Sequence, residues 1–339
     1  MALISLGARV KLNAEAFNMV ESVGNYVRHR RAPIAFKRGD EFVLRYVPAI
    51  SGESIAHGYQ VILANLAQAI GLNVCDNCKQ GYFLKHSRKE FLEDELKKIL
   101  SSKGSDIDKS HMLEREIVRK CVVEDIGGFL YAESPPTKRT SRIAFGYILP
   151  VEDAIRSAAI EAQFHVRYSP SARREEQAIY NVEVSSAVYG LSTYLDLDGI
   201  GYTSMVKREL AVSEEERAKR VEIALKALAQ LVGNIDFGAK KTRFMPSWEV
   251  VSAVAILSEP IPFQVSSPTS SRYLDSTAER ASKMVEALAL GSSPIQEKIT
   301  IYTYPEEPSA QPENITIRKA NTFEELMVML IKDVVEATA

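Results

Sequence analysis

Apolar and polar residues alternate over the first dozen positions, with Ile4, Leu6, Ala8, Val10 and Leu12 on one side and Ser5, Gly7, Arg9 and Lys11 on the other. A period of two predicts a strand with one buried face. A polar, basic connection follows, and Glu41 to Val47 predicts a second strand that Pro48 and Ser51-Gly52 bring to an end. The period then changes. Ile55, Tyr59, Ile62, Leu66 and Ile70 recur at helical spacing and predict an amphipathic helix over about 53 to 70. Residues 74 to about 120 are dense in charge and locally helical, with Phe91, Leu92, Leu96 and Ile99 on one stripe, which reads as an insertion.

Strand patterns return at Arg142 to Leu149 and at Gln163 to Tyr168, and residues 178 to 197 form the longest strand-like run. Its apolar parity changes midway, Tyr180, Val182 and Val184 being in one phase and Tyr189, Leu191, Leu195 and Leu197 in the other, so a bulge or bend is expected near Ser185 to Gly190. Ser213 and Glu216 form a capping box for a helix that carries Val221, Leu225, Leu228 and Val232 and ends at Gly233. A glycine-containing loop leads to an apolar strand at about 249 to 257, and helices at about 275 to 289 and 322 to 336 flank a strand at 297 to 303. This order predicts an α+β chain with a ferredoxin-like or RRM-like palm and extended loops. The palm is assigned to 1–73 and 139–260, a mainly helical insertion to 74–138, and a C-terminal elaboration to 261–339.

Composition narrows the class without naming a partner. The 339 residues are 46% hydrophobic and 25% charged with a net charge of −2, enough apolar content for a sizeable core and no sign of a basic tail. No apolar run is long enough to cross a membrane and no leader pattern opens the chain, so a cytoplasmic setting is expected. The near-neutral total hides three basic clusters. Arg28, Arg30, Arg31, Lys37, Arg38 and Arg45, with His29, face only Asp40 and Glu41; Lys138, Arg139 and Arg142 stand alone between 134 and 151; Lys240, Lys241 and Arg243 lie in the loop with Gly233 and Gly238. Such segments suit phosphate binding and equally suit a solvated surface. The aromatic stacking residues of an RRM are missing, Arg9 and Lys11 taking the side of the first strand where they belong.

The ordered series of short segments is more specific. Glu21-Ser22-Val23-Gly24-Asn25, His29-Arg30, Ala32-Pro33, Arg45-Tyr46-Val47-Pro48, Ile50-Ser51-Gly52-Glu53 and His57 are followed by Asp125-Ile126-Gly127-Gly128-Phe129 and Arg139-Thr140-Ser141-Arg142-Ile143. After these come Glu161 to Arg167, Asn181 to Ala187, Gly233-Asn234, Arg243-Phe244 and Pro246-Ser247. Together they resemble the backbone subunit of archaeal type I-A CRISPR surveillance complexes (Cascade), a RAMP-superfamily group earlier named a DevR-type autoregulator. The resemblance implies a hand-shaped, non-catalytic protein with CRISPR RNA, target DNA, further copies of itself in a helical filament and other Cascade subunits as partners. It also implies that Arg30, Arg45, Arg139, Arg142, Arg167 and Arg243, with His29, Lys138, Lys240 and Lys241, are candidate RNA contacts. Asn18, Asn25, Ser51 and His57 are the accompanying hydrogen-bonding groups.

Two other chemistries compete. His165 reads as an RNA contact, as a structural histidine, or as the proton shuttle of a metal-independent ribonuclease processing CRISPR RNA; the old family name leaves a DNA-binding autoregulator as a further class. Cys75-Asp76-Asn77-Cys78 has the spacing of half a zinc site or a redox pair, with Cys121 and His86 or His111 able to complete a set, but it also reads as ordinary thiols. No metal or other cofactor is expected. Asp196 and Asp198 read as solvated turn residues, and no P-loop, nucleophile elbow or HExxH occurs.

Overall fold

The computed structural model describes residues 2–167, 178–235 and 237–338. The chain forms β1 (Leu3–Glu15), β2 (Met19–Val23), β3 (Tyr26–His29), β4 (Arg31–Arg38), β5 (Glu41–Pro48), α1 (Gly52–Ala69), α2 (Asp76–Lys79), α3 (Asp94–Ser101), α4 (Asp106–Lys120) and α5 (Val122–Gly127). It continues with β6 (Phe129–Tyr131), β7 (Thr137–Arg139), β8 (Ile143–Phe145), β9 (Leu149–Pro150), β10 (Ala159–Arg167), β11 (Ala178–Asp196), α6 (Glu214–Asn234), β12 (Ser247–Glu259), α7 (Tyr273–Leu288), β13 (Lys298–Tyr304), β14 (Thr316–Lys319) and α8 (Phe323–Thr338). Among the described residues no helix is long and apolar enough to cross a membrane.

β1 runs through the middle of the main sheet, antiparallel to β11 on one side and β12 on the other. β8 and β9 pair with the far side of β11, and β13 and β14 extend the sheet beyond β12. The even positions of β1 enter the main core with Tyr59 and Leu63 of α1, Leu225, Leu228 and Leu231 of α6, and Leu326 and Leu330 of α8. Each fully buried aliphatic side chain contributes about 1.5–3 kcal/mol, so this interface fixes which way the sheet faces. Ser213 Oγ accepts from Glu216 N at 3.1 Å, the cap the sequence predicts for α6.

Over Ser5, Gly7 and Arg9 the opposite face of β1 is not open to solvent, contrary to a half-buried strand, while Lys11 stays partly exposed beside Glu249. The 262–273 segment crosses it. A Cβ on Gly7 would sit 3.1 Å from Val265 Cγ2, and Arg9 donates to the carbonyls of Pro268 (2.9 Å) and Ser270 (2.7 Å). α7 packs a second core there, Tyr273, Ala278 and Ala281 against Val254, Ile256, Ile299 and Ile301. Alternation in β1 therefore separates two buried faces, one of them polar because it meets backbone carbonyls.

Two further readings change. The basic connection after β1 is itself strand: β4 pairs with β5 in a separate hairpin turning at Gly39 (φ +64°). The parity change in β11 needs no bulge in that strand. The extra residue lies in β1, between Leu12 and Glu15, where Ala14 takes φ +56° and donates to Ser186 Oγ at 2.9 Å. β11 changes neighbours instead, from β10 along its first half to β1 along its second. In the 74–138 segment Leu92 and Leu96 bury against Leu113, Ile117, Phe129 and Tyr131, while Phe91 stays only partly buried. Tyr168 lies outside the described residues.

Candidate nucleic-acid interface

The start of α1 is built by three distant segments. Ser51 has extended backbone and its Oγ accepts from Ser54 N at 3.3 Å, capping the helix, while its own N–H donates to Asn18 Oδ1 at 2.8 Å. Asn18 O in turn accepts from Arg30 N at 2.9 Å. From the loop after α6, Ala239 N donates to Phe17 O at 2.9 Å. That approach requires glycine at 238, where φ is +110° and a Cβ would fall 2.4 Å from the Phe17 ring. The result is a cleft of about 480 Å³ lined by Asn18, Arg30, Ser51, His57, Gly238 and Ala239 among others. The positive end of α1 opens into it, an arrangement that favours an anion. His57 stands exposed at its border, edge-on to Phe83 at 5.0 Å.

Arg30 borders a second cleft of about 470 Å³ with Tyr26, Arg28, Arg31, Tyr46 and Glu183. Glu183 organises it: buried on β11, it accepts from Arg31 Nη2 (2.8 Å), Tyr26 Oη (3.1 Å) and His29 N (2.8 Å). Among the described lining residues one carboxylate, Glu183, faces three arginines, Arg28, Arg30 and Arg31. Arg30 Nη1 donates to Tyr147 Oη at 3.3 Å and its Nε is buried without a protein partner. Arg45 stands exposed on β5 next to Tyr46, one long bond (3.4 Å) tying it to Ile155 O.

A third group sits where β10, β11 and the α6–β12 loop meet. The His165 ring stacks on Tyr180 at 5.1 Å and meets Phe244 edge-on at 5.3 Å, and its buried Nε2 has no hydrogen-bond partner among the described residues. Arg243 Nη1 donates to Tyr180 Oη at 3.4 Å. Lys240 takes φ +55°, and partial burial, with Arg243 nearby, lowers its pKa. Lys241 is half-buried in the same loop, Asn25 is exposed and donates to Ile179 O at 2.8 Å, and the side chain of Arg167 lies outside the described residues.

Of the remaining candidates only His29 touches these groups, lining the Arg30 cleft and donating its N–H to Glu183. Arg139 has no exposed side-chain surface: its guanidinium is bonded to both the carboxylate and the carbonyl of Asp125, to Glu114, and to the carbonyls of Tyr202 (2.6 Å) and Gly199 (2.9 Å). Asp125 is shared with buried Arg220 at 2.8 Å, so a single ion network ties the insertion to α6. The expected phosphate cation is a structural one. His29 is likewise buried, its Nε2 2.5 Å from Glu15 Oε1 and its Nδ1 2.8 Å from Arg30 O. Burial pushes the His29 pKa down, but the bond and charge of Glu15 outweigh it and the net shift is upward. Arg142 is paired with Asp196 at 3.1 Å beside β8, at the opposite end of β11 from Tyr180, and Lys138 is exposed beside Met205. Asp196 accepts from the N–H groups of Asp198 (3.0 Å) and Gly199 (3.1 Å), as a turn residue does.

Arg28 and Arg31 belong to the basic cluster that the sequence offers for phosphate binding, whereas Glu183, Tyr26 and Tyr46 as cleft residues, and Tyr180 and Phe244 around His165, are not singled out there. Glu183 carried a signal, being a lone carboxylate in an otherwise apolar stretch of strand.

The family model described as CRISPR-associated negative auto-regulator DevR/Csa2 matches residues 6–278. The CRISPR-associated aCascade subunit Cas7/Csa2 2 of Saccharolobus solfataricus is 40% identical over 83% of this chain and 87% of its own length. Its compatriot CRISPR-associated protein Cas7/Csa2 1 is 38% identical over 80% and 84%. Among solved structures, a chain of a CRISPR RNA-guided surveillance complex, pre-nicking, is similar in fold, with a TM-score of 0.54 over 99% of this chain and 100% of that one at 12% identity. On the span of the family match and the identity to the Saccharolobus proteins, this chain belongs to the CRISPR-associated DevR/Csa2 family.

Proposed function

We propose that the chain is a non-catalytic, CRISPR RNA-binding backbone subunit of an archaeal type I-A Cascade, polymerising along the guide in the cytoplasm and presenting it for pairing with target DNA. The observation that carries this reading is the pair of adjoining clefts that share Arg30: one offers a helix N-terminus and glycine-lined backbone, the other three guanidiniums. These are groups that hold sugar and phosphate, and a protein serving any guide must hold those and leave the base edges free. The name of the Saccharolobus relative as an aCascade subunit agrees with it.

We read the strand order β12-β1-β11 followed by β8 and β9, with α1 and α6 together on one face, as a ferredoxin-like, RRM-like palm, a reading that this order supports. On this reading 1–73 and 139–260 form the palm, 74–138 the insertion and 261–339 the elaboration that closes the second face. The β4–β5 hairpin bears Phe42, Leu44 and Tyr46 in an exposed row, each more than 70% accessible. A row of that kind suits contact with the next copy along the guide.

Small RNAs with repeat-derived ends, copurifying with oligomers of the chain, are the expected result of isolating it from cells that carry a CRISPR array. Affinity for single-stranded RNA should be independent of sequence and should fall with salt by about 0.7 in log K per neutralised phosphate. Metal-independent cleavage of repeat RNA that His165→Ala abolishes would overturn the non-catalytic reading. Tighter binding to duplex DNA than to RNA would favour the autoregulator reading.

A further inference from the structure

Cys75, Cys78 and Cys121 come together in the insertion. Their sulfurs and a carboxylate oxygen of Glu124 all lie within 4.8 Å of one another, every one of the four residues is buried, and the cysteines are free thiols. Cys75 and Cys78 bracket the first turn of α2, the second following three residues after the first, and Cys121 and Glu124 bracket the first turn of α5 with the same interval. Two short turns thus present two ligands each from opposite sides. Cys75 Sγ lies 3.4 Å from Glu124 Oε1. A tetrahedral centre with bonds near 2.3 Å to sulfur and 2.0 Å to oxygen sets its ligand atoms roughly 3.5 to 3.8 Å apart, so the cluster is close to closed around a cation.

Three features of the surroundings point to a ligand. Glu124 Oε2 is fully buried and has no hydrogen-bond partner among the described residues. Glu124 Oε1 is held at 2.6 Å by Nδ1 of His86, whose other nitrogen is 3.1 Å from Glu93, the kind of outer arrangement that fixes a coordinating carboxylate. Lys85 and His86 both occupy left-handed backbone, φ +56° and +43°, a conformation disfavoured for side-chain-bearing residues that here turns the His86 ring onto Glu124. Lys85 Nζ is anchored close by on Gly127 O at 2.9 Å. The two basic groups are suited to offset the negative charge that three thiolates and a carboxylate leave on a divalent ion.

We propose that Cys75, Cys78, Cys121 and Glu124 form a structural zinc site. Sulfur donors in a closed, tetrahedral, buried set select Zn²⁺ over hard cations, and the absence of an open position makes the site structural. Zn²⁺ binds as the three thiols and the carboxyl release their protons, with no change of oxidation state. His86 is a positioning residue for Glu124. The site pins the α2 turn to the α5 turn and so closes the loop that carries α3 and α4, holding the insertion on α1. The sequence expectation of no metal is revised accordingly, and the Cys-x-x-Cys pair finds its second half in Cys121 and Glu124 instead of a histidine.

The test is metal analysis of the full-length chain, purified under reducing conditions without chelator, followed by exchange with Co²⁺. One zinc per chain is expected, and the Co²⁺ form should show the thiolate-to-metal charge-transfer band of a tetrahedral sulfur site. Cys78→Ser and Cys121→Ser should lower bound metal at least tenfold, and His86→Ala should weaken affinity, measured by chelator competition, about 10- to 100-fold while preserving one metal per chain. Variants that do not fold leave the native chain to decide. Less than one-tenth equivalent of zinc together with no charge-transfer band on adding Co²⁺ overturns the proposal, as does a disulfide among the three cysteines in the freshly purified chain. Unchanged cobalt spectra and affinity in Glu124→Gln would remove Glu124 from the ligand set.

Discussion

Arg139 and Arg243 were equivalent as sequence candidates, and the structure separates them sharply enough to test. Arg139→Ala removes a guanidinium with no exposed surface from a network of Asp125, Glu114, Arg220 and three backbone carbonyls. Deleting one member of a buried ion network leaves its partners desolvated and costs about 3–5 kcal/mol. For a chain of 339 residues the entropy of unfolding near the melting point is about 0.7 kcal/mol per K, so Tm should fall by about 4 to 7 °C. Arg243 is exposed and holds one long bond to Tyr180, so Arg243→Ala should change stability by no more than about 0.5 kcal/mol and Tm by less than about 1 °C.

RNA binding should show the reverse. Fluorescence anisotropy with a single-stranded RNA across a salt series should give a log–log slope about 0.7 smaller for Arg243→Ala, one phosphate contact fewer, and an unchanged slope for Arg139→Ala at a temperature where it is folded. Differential scanning calorimetry supplies the other axis. An Arg139→Ala protein that melts with the wild type and loses salt dependence would refute the assignment of Arg139 to the interior.

Three shorter predictions follow from the same geometry. The His29 pKa is raised and the Glu15 pKa lowered by their buried contact, so the pair stabilises fully between about pH 4.3 and 6.5, the unfolded values. Its contribution is lost as pH rises through the folded value of His29 or falls through that of Glu15; the Tm gap between wild type and His29→Gln should therefore narrow above pH 6.5, and a constant gap up to pH 9.5 would contradict it. Gly238→Ala and Gly71→Ala both place alanine at positive φ, costing about 1–2 kcal/mol each, but only residue 238 has the Phe17 ring in the way, so RNA affinity should fall for Gly238→Ala alone. Phe42→Ser with Leu44→Ser should leave the Tm within about 1 °C and reduce assembly on RNA in sedimentation velocity, since both side chains are already in solvent.

Local patterns served where the chain's own period decides the outcome. Most of the α1 stripe, the α6 stripe and the Ser213 cap follow from spacing and backbone chemistry that no distant segment overrides, whereas Ile70 falls past the end of α1 and is exposed, and the need for glycine at 238 is set by the distant Phe17. Long-range partnerships were illegible for a definite reason. Nothing near Arg139 in sequence announces that Asp125, Glu114 and Arg220 will enclose it, because they arrive from α5, α4 and α6, and an arginine in a short polar stretch has the same local signature whether solvent or carboxylates surround it. The zinc ligands show the same limit: Cys75 and Cys78 mark half a site, whereas Glu124 is one acid among many until the fold sets it against Cys121.

The second face of the sheet explains why the candidate contacts lie where they do. An RRM stacks bases on aromatics of its open central strands, but here the corresponding row is Ser5, Gly7 and Arg9, covered by the 262–273 segment and by α7. Gly7 admits that segment to within 3.1 Å, and Arg9 spends three guanidinium nitrogens on Pro268, Ser270 and Asp153, so reopening the face would strand a charge and expose a second core. On the proposed function, nucleic acid would be directed to the strand ends and the α1 N-terminus, where the available groups are guanidiniums, a cap and backbone N–H. Base edges are poorly served there and phosphates well served. A closed sheet face and the proposed sequence-independent gripping would thus follow from the same packing, since it is the position of residues 262–273, more than the number of basic residues, that covers the central strands where an RRM stacks bases.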